Sequence, residues 1–348
     1  MLTKIASTTH EAVYQISDPE TGLQGFIALH STRLGPAAGG LRMREYDSAQ
    51  AALEDVLKLS RGMTYKNAAA GLPLGGGKAV IMGDPKVKKT PELLRAMGRA
   101  VDALDGRYWT AEDMGMSPED MAELARETRY VAGLDSGSHA SGDPSPVTAE
   151  GVFNAMQVGA THRFGSADLK GKTVAIQGLG HVGWHLCRML HDVGARLIVA
   201  DMDAARVAGT VKEFGAQPAA PDEIHRVEAD IFAPCAIGGT LNSRTIPELR
   251  ASLVCGAANN QLAQTSDADI LDERDILYLP DYVANGGGII NVAAEILKIE
   301  NRTPWVAEKL DTLRQTMQRI LSKARAERSS PAHVADRTVD ELILQEAV

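Results

Sequence analysis

Two lysines and one acid are the side chains best suited to handling protons in this 348-residue chain: Lys66 in GMTYKNAAAG, Lys78 in GLPLGGGKAV, and Asp113 in WTAEDMG. Three glycines before a lysine suggest a phosphate loop. That motif, however, requires four residues between its glycines and a Ser or Thr after the lysine, whose hydroxyl ligates magnesium. Here Gly71 lies six positions before Gly77 and Ala79 follows Lys78, so a nucleoside triphosphatase is set aside. Each of the three charges, taken singly, has the character of a solvated surface group, because charges are rarely buried without partners. Their neighbours argue otherwise: Lys66 precedes Asn and three alanines, and Lys78 stands between glycines and the apolar run AVIM. A desolvated lysine beside another cation has a lowered pKa and can serve as a base near neutral pH. Asp113 could then relay protons.

A second constellation binds rather than reacts. Gly178, Gly180 and Gly183 spell GxGxxG after the apolar run TVAIQ, and RLIVAD ends at Asp201, 21 residues beyond Gly180. Glycine turns are common, but a strand before the motif, a helix after it and an acid at that distance together form a dinucleotide-binding fingerprint. The loop Gly178, Leu179, Gly180, His181, Val182, Gly183 would let backbone approach a pyrophosphate at a helix N-terminus. Asp201 would accept hydrogen bonds from ribose hydroxyls and repel a 2'-phosphate, which favours NAD over NADP. Arg206 is the one nearby cation that could accommodate such a phosphate.

The elements that must position these groups are those of an α/β protein. AVYQIS and LQGFIALH, split by DPETG, read as a hairpin. Apolar residues at Ala52, Val56, Leu59 and Met63 recur with helical spacing from Ser48 to Thr64; a second helix runs from about Pro91 to Leu104, and KAVIMG between them is a strand. GLDSGSHASGDPSPV, at 133–147, is rich in Gly, Ser, Asp and Pro and marks a break. The expected organisation is an α/β substrate-binding and oligomerisation domain over 1–135 and a Rossmann NAD-binding domain over 136–325, separated by a deep cleft. A last helix, about 326–348, with Ser330 as N-cap and Pro331 in its first turn, could pack back on the first domain.

Hydrophobic residues make up 44% of the chain and the net charge of -9 is spread among interspersed acids, without the basic stripe that nucleic acid requires. No run of 18 apolar residues occurs, the N-terminal segment has no signal-like apolar centre, and Cys187, Cys235 and Cys255 form no CxxC pair. The expectation is a cytoplasmic protein with free thiols, no metal site, and neither membrane nor nucleic-acid partners.

From STRLGPAAGGLRM through GMTYKNAAAGLPLGGGK, TAEDMG, GDPSPVT, QGLGHVG, FAPCAIGG and GAANNQL to PDYVANGGGIINVAAE, the sequence resembles the Glu/Leu/Phe/Val amino-acid dehydrogenases, the leucine dehydrogenase branch most closely. The resemblance implies reversible oxidative deamination: hydride passes from the amino acid Cα to a nicotinamide, and water converts the imine to a 2-oxo acid and ammonia. It implies that Lys66, with Gly39, Gly40 and Asn260, binds the substrate carboxylate. Lys78 would be the catalytic base and Asp113 would assist proton transfer. Thr148, Ala236 and Asn259 would lie near the nicotinamide end. The side-chain pocket would be built from Ala38, Ala111, Ile289 and Val292. Glutamate-specific relatives carry lysine and serine where Ala38 and Val292 stand, so an unpaired buried carboxylate, costing several kcal/mol, roughly, should exclude glutamate. A methylene discriminates by only about 1 to 3 kcal/mol. Leucine, valine and isoleucine are therefore the expected substrates, with phenylalanine or tryptophan as the alternative; a non-catalytic NAD-binding protein is the rival of another class. Relatives assemble as homo-oligomers, often octamers; a dimer is the other state considered.

Overall fold

The computed structural model describes residues 2–346. They form two units. The first runs to Pro144 and includes Ile289–Ala307 and the end of the chain from Leu342; the second comprises Ser145–Gly288 and Glu308–Glu341.

The first unit is built on a six-stranded sheet of β1 (Leu2–Ile5), β2 (Ala12–Asp18), β3 (Leu23–Ser31), β4 (Ala37–Arg44), β5 (Gly75–Met82) and β6 (Tyr108–Glu112), in the order β1-β2-β3-β5-β4-β6. The hairpin read from the sequence is β2–β3, antiparallel, with Val13 opposite Ala28. β4 lies parallel to both β5 and β6, as helical crossovers require. Side chains alternate between the sheet faces. Phe26, Ala28 and Val80 meet Ala52 and Val56 of the helix Ala49–Ala69. On the other face, Ile27, Leu41, Ala79, Ile81 and Tyr108 meet Leu94, Met97 and Leu124, from the helices Pro91–Asp102 and Pro118–Leu124. Each buried aliphatic side chain contributes about 1.5–3 kcal/mol.

The helix Ala49–Ala69 starts where Ser48 accepts a hydrogen bond from Ala51 N–H. It continues past Thr64, the expected end, through the alanines that favour helix, and stops before Gly71 at φ +59°. The strand read as KAVIMG begins earlier than the sequence suggested and takes in Gly75, Gly76 and Gly77. The reason is steric. A Cβ on Gly75 would lie 2.1 Å from Ser31 O, one on Gly76 2.1 Å from Thr64 N, and one on Gly77 2.7 Å from the Tyr108 ring. These glycines admit the protein's own strand, helix and aromatic ring.

The second unit is a parallel sheet of β7 (Thr173–Gln177), β8 (Arg196–Ala200), β9 (Gln217–Pro218), β10 (Ile231–Pro234), β11 (Leu253–Val254) and β12 (Leu277–Tyr278). Its order, β12-β11-β10-β7-β8-β9, is that of the doubly wound dinucleotide fold, with the order reversing beside β7. Helices Ser145–Phe164 and His181–Asp192 pack here, and Pro331–Glu346 begins at Ser330, whose hydroxyl accepts from Ala332 N–H at 3.4 Å. Cys187, Cys235 and Cys255 are free thiols. No helix among the described residues is long and apolar enough to cross a membrane.

Candidate active site

Lys78 sits within β5 and is only 6% exposed. Alternation places its side chain on the same face as Val80, toward the helix Ala49–Ala69, whose last turn carries the half-buried Lys66. Asn67, buried beside Lys66, donates to Gly75 O at 2.5 Å and ties that turn to β5. Both lysines therefore belong to one face of one sheet.

Asp113 follows β6 directly, and its Oδ2 lies 2.7 Å from Lys78 Nζ. β4 runs between β5 and β6, so the two side chains meet over Gly40: a Cβ there would be 3.1 Å from Lys78 Nζ and 2.8 Å from Asp113 Cβ. Any side chain at this position would push the pair apart. Gly39 is closed by Gly77 O and Met63, and the buried Tyr108 hydroxyl donates to Gly39 O at 3.1 Å beneath the glycine pair. Ala38 and Ala111 are buried on β4 and β6, with Ala111 opposite Gly40. Ile289 and Val292, one turn apart on the helix Gly287–Ile296, are nearly buried and belong to the same unit.

Two further residues hold this region, and sequence reasoning passed over both. Arg42 Nε donates to Asp113 Oδ2 at 2.9 Å while its Nη1 donates to Asp55 Oδ2 at 3.2 Å. Burial would raise the Asp113 pKa, but Lys78, Arg42 and the Met114 backbone N–H outweigh it and hold the carboxyl well below the usual carboxylate range. Glu295 accepts from the backbone N–H groups of Gly133 at 2.8 Å and Ser141 at 3.0 Å, while Asn291 and Arg302 donate to Ser141 O. The polar stretch that reads as a break is thus pinned by two helices, Asn291 and Glu295 coming from Gly287–Ile296 and Arg302 from the start of Arg302–Glu327. Signals existed: Arg42 lies in GGLRM, and Glu295 is a carboxylate closing the apolar run IINVAAE.

In the second unit the fingerprint residues gather outside the carboxyl end of β7. Gly178 has φ +99°, and a Cβ on it would meet Ala236 at 2.8 Å; one on Gly183 would lie 2.1 Å from Gly178 O. Gly180 N-caps the helix His181–Asp192 with no side-chain cap, and among the described residues beyond its chain neighbours only the Arg206 side chain comes within 4 Å of its added Cβ. The helix N-terminus, with His181 exposed and Val182 half-buried, is thus open to an approaching anion. Leu179 is buried, and its N–H donates to Asp201 Oδ2 at 2.6 Å; Asp203 N–H donates to Oδ1 at 2.8 Å. Each Asp201 oxygen keeps acceptor capacity for a sugar hydroxyl. Gln177 Oε1, at the end of β7, is a buried acceptor without a donor among the described residues. Asn259 Oδ1 accepts from Asn285 at 2.8 Å, Asn260 takes φ +51° with its carbonyl accepting from Gly239 N–H, and Thr148 lies against Gly287. These residues fit a dinucleotide: backbone donors for a diphosphate, an acid for a ribose, and a cradle that a Cβ would fill.

A Rossmann unit joined to a unit with a buried lysine–carboxylate pair is the arrangement expected of a dinucleotide-dependent dehydrogenase. Residues 10–130 match the family description "Glu/Leu/Phe/Val dehydrogenase, dimerisation domain", and residues 137–205 and 199–339 match "Glutamate/Leucine/Phenylalanine/Valine dehydrogenase". The chain belongs to this family and is an amino-acid dehydrogenase, acting on a CH–NH2 group. Leucine dehydrogenase of Geobacillus stearothermophilus is 48% identical over 334 residues, 96% of this chain and 90% of the relative. Phenylalanine dehydrogenase of Thermoactinomyces intermedius is 44% identical over 334 residues, 95% of this chain and 91% of the relative. The crystal structure of L-tryptophan dehydrogenase from Nostoc punctiforme superposes with a TM-score of 0.84 at 41% identity, covering 97% of each chain.

Proposed function

We propose that this enzyme uses NAD to deaminate leucine, valine and isoleucine reversibly, with Lys78 as its acid/base group. The observation that carries the reading is Lys78 Nζ, buried and in direct contact with Asp113 at 2.7 Å, over a strand residue, Gly40, that has no side chain. Bound at the glycine turn, the dinucleotide supplies a hydride acceptor for the substrate Cα. Lys66, assisted by Gly39, Gly40 and Asn260, binds the substrate carboxylate. Lys78 takes a proton from the water whose oxygen adds to the imine carbon. It then returns that proton to the nitrogen, the C–N bond breaks, and ammonia leaves as the hydroxyl loses its proton to give the 2-oxo acid. Asp113 serves Lys78 as its anionic partner. Thr148, Ala236 and Asn259 contact the nicotinamide end.

NAD is supported over NADP by Arg206, whose guanidinium is already shared between Asp201 at 3.9 Å and Asp203 at 3.6 Å. The first unit is the substrate-binding and oligomer-forming domain, and the second the cofactor domain. Light scattering on purified protein should report a homo-oligomer. Free thiols, with Cys187 and Cys255 buried and Cys235 partly so, suit a reducing compartment such as the cytoplasm.

Ala38, Ala111, Ile289 and Val292 form an apolar side-chain pocket in this reading. The small side chain of Ala38 and the similarity to a phenylalanine dehydrogenase favour a second reading, an aromatic substrate. The deciding experiment follows NADH absorbance at alkaline pH with leucine, valine, isoleucine, phenylalanine, tryptophan and glutamate. Branched-chain turnover should lead and glutamate should give none. Dominant turnover of an aromatic amino acid would select the second reading. Silence with every substrate would leave the rival, a non-catalytic NAD-binding protein.

A further inference from the structure

Arg42 lies on β4 two residues beyond Gly40, so both face the same side of the sheet. Its fork reaches two carboxylates through separate N–H groups: Nε to Asp113 Oδ2 at 2.9 Å and Nη1 to Asp55 Oδ2 at 3.2 Å. Asp55, on the helix Ala49–Ala69, is itself held by the Tyr46 hydroxyl at 2.8 Å. The outcome is a chain of alternating charge, Asp55–Arg42–Asp113–Lys78, tying that helix, β4, the end of β6 and β5 together. Two cations balance two anions, and the arginine side chain is only 14% exposed. Asp113 Oδ2 accepts from Arg42 and Lys78 at once, which occupies both of its lone pairs.

We propose that Arg42 is a positioning residue of the reaction: bridging Asp55 and Asp113, it fixes the Asp113 carboxylate against Lys78 and so holds the pair in the geometry that proton transfer at Lys78 Nζ needs. This rests on the reading of Lys78 as the acid/base group. A lysine at position 42 would keep the charge but not the fork, because an ammonium presents a point charge where the guanidinium spans two acceptors. The other titratable groups around Asp113 are Glu112, next in sequence, and Tyr108 on β6, with Tyr46 and Asp55 behind the arginine.

The test measures kcat and kcat/KM against pH for Arg42→Gln, Arg42→Lys and Asp55→Asn, using the amino acid the wild type turns over best. Loss of the bridge in Arg42→Gln should lower kcat about a hundredfold through misalignment. Removing one cation beside the base should also move the acid limb of the profile to higher pH by about one unit. Arg42→Lys should return the limb and recover about tenfold in kcat, since it restores charge without the fork. Asp55→Asn keeps every cation, and should lower kcat with little movement of the limb. A residue needed only for folding would lower active protein without moving the limb; kcat within about threefold and an unmoved limb in Arg42→Gln overturn the proposal. A crystal structure of Arg42→Gln provides a second readout, independent of turnover. Asp113 should leave its 2.7 Å contact with Lys78; a carboxylate still in place there sinks this inference alone, whereas full turnover by Lys78→Ala sinks the reading of the site beneath it.

Discussion

A Lys78→Ala substitution removes the ammonium facing Asp113 and leaves the glycine turn of the other unit untouched. Deamination should fall about a thousandfold or more, the range general acid–base catalysis spans. NADH affinity, followed by quenching of its fluorescence, should stay near the wild-type value. Asp113→Asn reports on electrostatics through stability. It strips Lys78 and Arg42, 7% and 14% exposed, of their shared anion, and should cost about 3 kcal/mol near neutral pH. The Asp113 pKa is depressed in the folded state, so its contribution is complete above the ordinary unfolded value of about 4 and drains as pH falls toward the folded value. Urea unfolding should therefore show the gap between wild type and Asp113→Asn narrowing at about pH 3. A gap constant with pH would mean that the carboxyl is not held ionised.

Among elements, the contact between β5 and the helix Ala49–Ala69 matters most to the site, because it places the Lys66 turn against the strand of Lys78. Gly76 makes it possible. A methyl at Gly76 would sit 2.1 Å from Thr64 N, a backbone atom that cannot rotate away. Gly76→Ala should then destabilise the first unit by about 1–3 kcal/mol, as overpacked cores do, and raise KM by displacing the turn that holds Lys66. An unchanged KM with an unchanged melting temperature would refute that geometry. The helix Gly287–Ile296 serves a different purpose: Glu295 satisfies backbone N–H groups of the loop around Gly133 and Ser141, so a polar, glycine-rich stretch keeps a defined path.

At the scale of the whole molecule, each unit has its own sheet and its own buried cluster, which permits separate unfolding steps. A ligand bound only by the native second unit stabilises it by about 2.7 kcal/mol at a hundred times its Kd. NADH at that excess should move one denaturant transition and leave the other where it was, as read by calorimetry or tryptophan fluorescence. Movement of both by equal amounts would show that the units unfold together.

The glycine fingerprint with its distant acid, the helical and strand periodicities, and the identities of Lys66, Lys78 and Asp113 were legible in the chain itself. Each depends on local chemistry: backbone freedom at glycine, side-chain period, and the rarity of charge within apolar stretches. What Gly75, Gly76 and Gly77 accommodate was not legible, because the atoms that fill their missing side chains come from Ser31, Thr64 and Tyr108. Nor were the parts of Arg42 and Glu295, whose partners lie 71 and about 160 residues away. Sequence alone determined the chemical groups and the elements that carry them. Only tertiary structure decided that Lys78 faces an anion rather than a second cation, because parallel pairing of β4 with both β5 and β6 brings three distant segments side by side.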